Sequence, residues 1–97
     1  MLFVVLGTSA GKTREAIMAV YPRHKAFLDQ FVARGEVVGV GPFIDAGGGN
    51  MALFRTRAAA EAFAAGDPFR LEGMVKDYQV KDWGDQMLSP TVAGAGS

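Results

Sequence analysis

Val37-Val38-Gly39-Val40-Gly41-Pro42-Phe43-Ile44, the turn Asp45-Ala46-Gly47-Gly48-Gly49-Asn50 and Met51-Ala52-Leu53-Phe54-Arg55 follow one another in mid-chain. Two β-rich runs joined by a glycine-rich turn predict a hairpin. Its strand glycines imply a bulge or a close backbone approach, and Pro42, which has no N–H, must break the pairing where it stands. What flanks the hairpin decides the fold. On its N-terminal side Phe27, Leu28, Phe31 and Val32 form an apolar stripe, with Lys25, Asp29, Gln30 and Arg34 mostly elsewhere around the wheel. This is an amphipathic helix starting at Pro22 and stopped by Gly35. Before it, Thr13 is positioned to cap a helix over Arg14 to Val20, which Pro22 is expected to interrupt or restart.

The chain opens with Leu2-Phe3-Val4-Val5-Leu6, a buried strand expected to close at Gly7-Thr8-Ser9. Beyond the hairpin, Ala58 to Ala65 is an alanine-rich helix anchored by Phe63 and ended by Gly66. Asp67 and Pro68 suit the N-cap and first position of a short further turn or helix. Met74 to Trp83 alternates around Tyr78 and Val80 as the last strand. The order is β-α-β-β-α-β, the ferredoxin-like split βαβ arrangement of the α+β class, with both helices on one face of an antiparallel sheet. The domain is expected over residues 1–84, with 85–97 a flexible C-terminal tail. The sheet's other face has no helix left to cover it. Two such sheets face to face would bury it and enclose a cavity, so a homodimer is expected, with Trp83 at its interface.

Composition narrows the function. At 97 residues the chain is too short for a Rossmann dehydrogenase or a barrel enzyme. Ten basic residues balance ten acidic ones, which offers no electrostatic footprint for nucleic acid or an anionic membrane. With no cysteine and one histidine, thiolate chemistry and multi-imidazole metal sites within one chain are excluded, and no cofactor or metal is expected. No apolar run approaches a membrane span, and the first apolar stretch is too short for a secretory leader, so a cytoplasmic location is expected.

Gly7-Thr8-Ser9-Ala10-Gly11-Lys12-Thr13 imitates a phosphate loop. It has three residues between the first glycine and Gly-Lys where that loop needs four, and reads as a plain strand-to-helix loop. His24 and Asp67 are the more informative pair. His24 is expected one turn into its helix, where the positive helix end favours neutral imidazole, the form a general base requires. Both helices share one face, so the ends carrying His24 and Asp67 can approach. A carboxylate taking one ring N–H fixes the tautomer and leaves the other nitrogen free to move a proton. This dyad is expected in the hollow between paired subunits.

Taken in order, Pro22-Arg23-His24, Phe27-Leu28, Phe31, Gly35, Gly41-Pro42, the Ala59 to Ala65 helix, Asp67-Pro68-Phe69, Gly73 and a strand ending at Trp83 resemble the YciI-like (YCII-related) family. The resemblance covers residues 1 to about 84. It implies a dimeric α/β-barrel related in shape to muconolactone isomerases. It also implies that His24 and Asp67 match the family's active-site pair, and that the chemistry is proton transfer or elimination on ring-derived small molecules. Two departures stand out. Tyr21 occupies the place where relatives often carry an arginine, the arginine here being Arg23, and the hairpin loop is short.

Tyr21, Arg23, Phe43, Phe69 and Tyr78 are the candidates for the substrate pocket, an aromatic setting suited to a small, partly aromatic ligand. Arg23, Arg55 and Arg70 are the cations available for a carboxylate or enolate. The resulting expectation is a cofactor-independent lyase or isomerase with His24 as general base and Asp67 as its orienting partner. The alternatives are a non-catalytic metabolite-binding dimer and a quinol-type monooxygenase on the same barrel fold, with haem on His24.

Overall fold

The computed structural model of the chain describes residues 1–89. The elements are β1 (Leu2–Ser9), α1 (Arg14–Ala33), β2 (Val37–Pro42), β3 (Asn50–Phe54), α2 (Arg57–Gly66), α3 (Pro68–Leu71) and β4 (Val75–Trp83). They form a four-stranded sheet of order β2-β3-β1-β4 with every neighbouring pair antiparallel. This is the ferredoxin-like arrangement expected from the element order. Of the segment assigned to a tail, residues 90–97 lie outside the described residues.

Alternation along β1 divides the sheet into two faces. Val5 pairs with Ala52 and Val80, and Phe3 with Phe54, on the face that receives the helices. Leu28 and Phe31 of α1 and Ala59, Ala60 and Phe63 of α2 close the core over Val5, Ala52 and Phe54. Phe63 is the hub. Its ring meets Phe31 at 5.9 Å and 84° and Phe54 at 5.2 Å between centroids, edge and tilted geometries that aromatic pairs favour. The opposite face carries Val4, Leu6, Met51, Leu53 and Trp83 by the same alternation, and among the described residues no helix covers it. Met51 is 38% and Trp83 43% exposed. No helix among the described residues is long and apolar enough to cross a membrane.

Three expectations need correction. Pro22 neither ends nor restarts a helix: α1 runs unbroken for 20 residues with Pro22 inside it. A proline there removes one helical hydrogen bond and crowds the preceding turn. The buried stripe Val20, His24, Leu28 and Phe31 continues on both sides of Pro22, so packing holds the axis together. Thr13 caps this helix by accepting from the Ala16 N–H at 3.1 Å. Consequently His24 sits in the middle of α1, and the helix-end argument for its neutral form does not apply.

Second, Gly7, Thr8 and Ser9 are strand, not loop, pairing with Tyr78, Asp77 and Val75 of β4. Only Ala10 to Thr13 connect β1 to α1. Third, β2 stops at Pro42 on the sheet edge, leaving Phe43 and Ile44 in the turn. The expected irregularity falls between Val37 and Gly39. The Phe43 N–H donates to the Gly49 carbonyl at 2.8 Å and closes the hairpin.

Candidate functional site

Asp67 is placed by a junction of two helices. Its backbone N–H ends α2 by donating to the Phe63 carbonyl, while its side chain caps α3 by accepting from the Phe69 N–H at 3.2 Å. Pro68 fills the first position of α3, where its missing N–H is harmless. The turn folds Asp67 inward until it is 0% exposed. Such burial is tolerable only if the carboxylate is saturated with donors. Oδ1 meets His24 Nδ1 at 2.7 Å, and Oδ2 accepts a short bond from the Tyr78 hydroxyl.

His24 comes from the buried stripe of α1 and is 6% exposed. A carboxylate only accepts, so its bond to Nδ1 places the ring proton there and leaves Nε2 as the basic nitrogen. The imidazole stacks on Phe69, with centroids 3.9 Å apart and planes 13° from parallel. Its edge meets Phe63 at 6.2 Å and 71°. The same Phe63 anchors the core, so the ring orientation is tied to the fold.

Behind Asp67 the network continues through the sheet. Gly7 of β1 lies opposite Asn50 of β3 on one side and Tyr78 of β4 on the other. Across this glycine the Asn50 Nδ2–H donates to the Tyr78 hydroxyl oxygen at 3.2 Å. The resulting chain is Asn50, Tyr78, Asp67, His24. A Cβ on residue 7 would fall 2.0 Å from Asn50 Oδ1 and 2.6 Å from Tyr78 Cε1, so the chain of bonds needs glycine there. Asn50 Oδ1 is itself buried without a partner, a cost that fits an amide held in place for its Nδ2–H.

Gly7→Ala is therefore expected to lose roughly 1–3 kcal/mol of stability, the usual penalty of overpacking, and to pull Tyr78 off Asp67. Urea unfolding measures the first and a side-chain NMR spectrum of Tyr78 the second. A variant as stable as wild type would show that the close approach is not required.

Burial raises the Tyr78 pKa well above the ordinary tyrosine value, helped by its bond to Asp67 and by that carboxylate's charge. The phenol thus remains a neutral donor to Asp67. A raised folded pKa stabilises fully below the unfolded tyrosine value of about 10 and less at higher pH, because the unfolded chain ionises first. Stability is expected to fall above about pH 10 more steeply in wild type than in Tyr78→Phe. Parallel alkaline unfolding curves for the two proteins would contradict this.

A cavity of about 320 Å³ opens beside His24, between α1 and the β2–β3 edge. Ile17, Met18, Tyr21, Val40, Asn50 and Phe69 supply most of its wall. The site is therefore on the helix side of the sheet, not in a hollow between two sheets. The open face, where a second sheet was expected to enclose the dyad, is the opposite one.

Of the sequence candidates, Tyr21 and Phe69 line this cavity. Phe43 lines an adjoining one. Tyr78 stands behind Asp67 instead of in the wall. Arg23, Arg55 and Arg70 are not part of the lining. Arg23 is held by Glu72 through two bonds, 2.7 Å at Nε and 2.5 Å at Nη2, on the surface. That pairing also lowers the Glu72 carboxyl below its usual range and raises the arginine. Gly7 and Asn50 were missed by sequence reading, the first taken as loop and the second as turn. Among the described residues no group of three or more His, Cys, Asp or Glu side chains is arranged to hold a metal ion.

A mid-helix imidazole is thus bound to a buried aspartate at a helix junction, on a ferredoxin-like sheet. The family model described as YCII-related domain matches residues 1–84, and the chain belongs to that family. Among solved structures, the chain is similar to 5-chloro-2-hydroxyhydroquinone dehydrochlorinase (TftG) from Burkholderia phenoliruptrix AC1100, in complex with 2,5-dihydroxybenzoquinone. That likeness has a TM-score of 0.69 and 20% identity, over 86% of this chain and 93% of the other, and it is a likeness of fold. No curated protein matches the chain.

Proposed function

We propose that this protein is a cofactor-independent enzyme of small-molecule metabolism, a lyase or isomerase acting on hydroxylated or ring-derived compounds. The observation that carries the reading is the 2.7 Å bond from His24 Nδ1 to the fully buried Asp67, beside a largely apolar cavity that His24 lines. Nε2 takes a proton from a carbon or hydroxyl next to a carbonyl. The electron pair left behind forms a new double bond, and a halide or hydroxyl on the neighbouring carbon departs with its own bonding pair. In an isomerisation the imidazolium returns the proton to a different carbon. Asp67 steadies the positive charge while the proton is on the ring.

The working form is a cytoplasmic homodimer joined through the uncovered sheet face. The apolar character of Val4, Leu6, Leu53 and the partly exposed Trp83 supports that surface.

The 2,5-dihydroxybenzoquinone bound to the similarly folded dehydrochlorinase makes halogenated hydroxyhydroquinones rational first probes. Incubating the purified protein with such a panel is expected to release halide into solution in proportion to enzyme. A compound that raises the melting temperature yet is recovered unchanged, with no turnover of any panel member, would favour a binding module instead.

A further inference from the structure

A second cavity of about 200 Å³ lies beside the first. Ile17, Pro42, Asn50 and Phe69 line both, so the two adjoin along a common boundary. The second has Ser9, Phe43, Gly48 and Met74 as walls of its own. The hairpin turn is packed tightly there: a Cβ on Gly49 would lie 2.5 Å from the Gly7 carbonyl oxygen. This holds the turn against β1 and gives the compartment a fixed backbone rim.

Unlike the first cavity, it has no histidine in its wall. No Lys, Arg, Asp or Glu lines either space among the described residues, and Arg23 is already taken by Glu72. An ionised group entering this half-open compartment would be partly desolvated without a counter-charge, which is unfavourable. Apolar cavities of about 150 Å³ accept benzene, so the space suits a short alkyl chain or a small ring.

We propose that this compartment is a second part of the same binding site, taking an uncharged, apolar substituent borne by the ring whose polar atom meets His24. The inference rests on the His24 cavity being the substrate site. It makes the protein selective for ligands extended by a neutral group and against those extended by a carboxylate.

Titration calorimetry on the full chain with phenol, 4-propylphenol and 3-(4-hydroxyphenyl)propanoate tests it. Each buried methylene is worth about fourfold in affinity, so 4-propylphenol is expected to bind roughly 10- to 60-fold more tightly than phenol. The propanoate should gain nothing over phenol. Ser9 is not itself part of the His24 lining, so Ser9→Leu, which fills the second compartment, should cancel the propyl advantage while phenol still binds. Should that variant fold poorly, NMR contacts between the propyl protons and the Met74 methyl in the wild-type protein report the same placement. An absent propyl advantage, one surviving in folded Ser9→Leu, or an equal gain from the propanoate would overturn the compartment alone. Phenol affinity unaffected by His24→Gln would overturn the parent reading, and this one with it.

Discussion

Asp67→Ala is expected to lower the unfolding free energy by roughly 3–5 kcal/mol, because it removes the acceptor at the centre of a buried hydrogen-bond network. Three donors lose their acceptor together: His24 Nδ1–H, the Tyr78 hydroxyl and the Phe69 N–H. Each of the two buried side-chain donors left without a partner costs about 1–3 kcal/mol, and loss of the Phe69 N–H bond, which is the α3 cap, adds about 1 kcal/mol. The removed carboxylate no longer bears its own desolvation cost, which keeps the total below the sum. For a domain of this size the loss would appear as a drop in melting temperature well above ten degrees, at roughly 4–8 °C per kcal/mol. Chemical denaturation at neutral pH checks it. A loss under about 1 kcal/mol would mean that the carboxylate is not the anchor its three bonds describe.

His24→Ala is expected to reduce turnover by about 10²–10⁴-fold, the usual contribution of a positioned general base. The fold should survive, because Asp67 keeps the Tyr78 and Phe69 donors. The Phe69 ring loses its stacking partner, so some stability is lost. His24→Gln offers an amide N–H in place of Nδ1–H and separates that structural loss from the chemical one. Both variants lack a basic ring nitrogen, so both should show that loss of turnover, with the glutamine protein the more stable. Full turnover in folded His24→Ala would remove the base from the mechanism.

How much of this was readable in the chain follows from the range of each interaction. The hairpin, the stripe of Phe27, Leu28 and Phe31, and the Asp67-Pro68 helix start are local patterns, set by side-chain spacing and by proline's missing N–H. They appear in the structure where the residues place them, apart from shifts at the element ends. The meeting of His24 and Asp67 was within reach because a split βαβ puts both helices on one face.

Three features were not readable. Pro22 looked like a break because its local cost is visible and the compensating burial of Val20, His24 and Leu28 is not. Gly7 looked like loop because its function depends on two side chains, Asn50 and Tyr78, that come from other strands and meet across it. That a cavity opens beside His24 depends on how far α1 stands off the β2–β3 edge, and no spacing in the sequence reports that. Arg23 illustrates the converse. Its position beside His24 invites a ligand-binding role, and the partner that occupies it, Glu72, lies 49 residues away.

The central claim is that Asp67 fixes the His24 proton on Nδ1 and thereby leaves Nε2 as the base. Long-range nitrogen–proton NMR correlation on nitrogen-15-labelled protein reads this directly, since the chain contains one histidine. In the neutral imidazole the proton is expected on Nδ1, with loss of that preference in Asp67→Asn. A neutral ring carrying its proton on Nε2 in the wild-type protein, or a tautomer indifferent to Asp67→Asn, would contradict it.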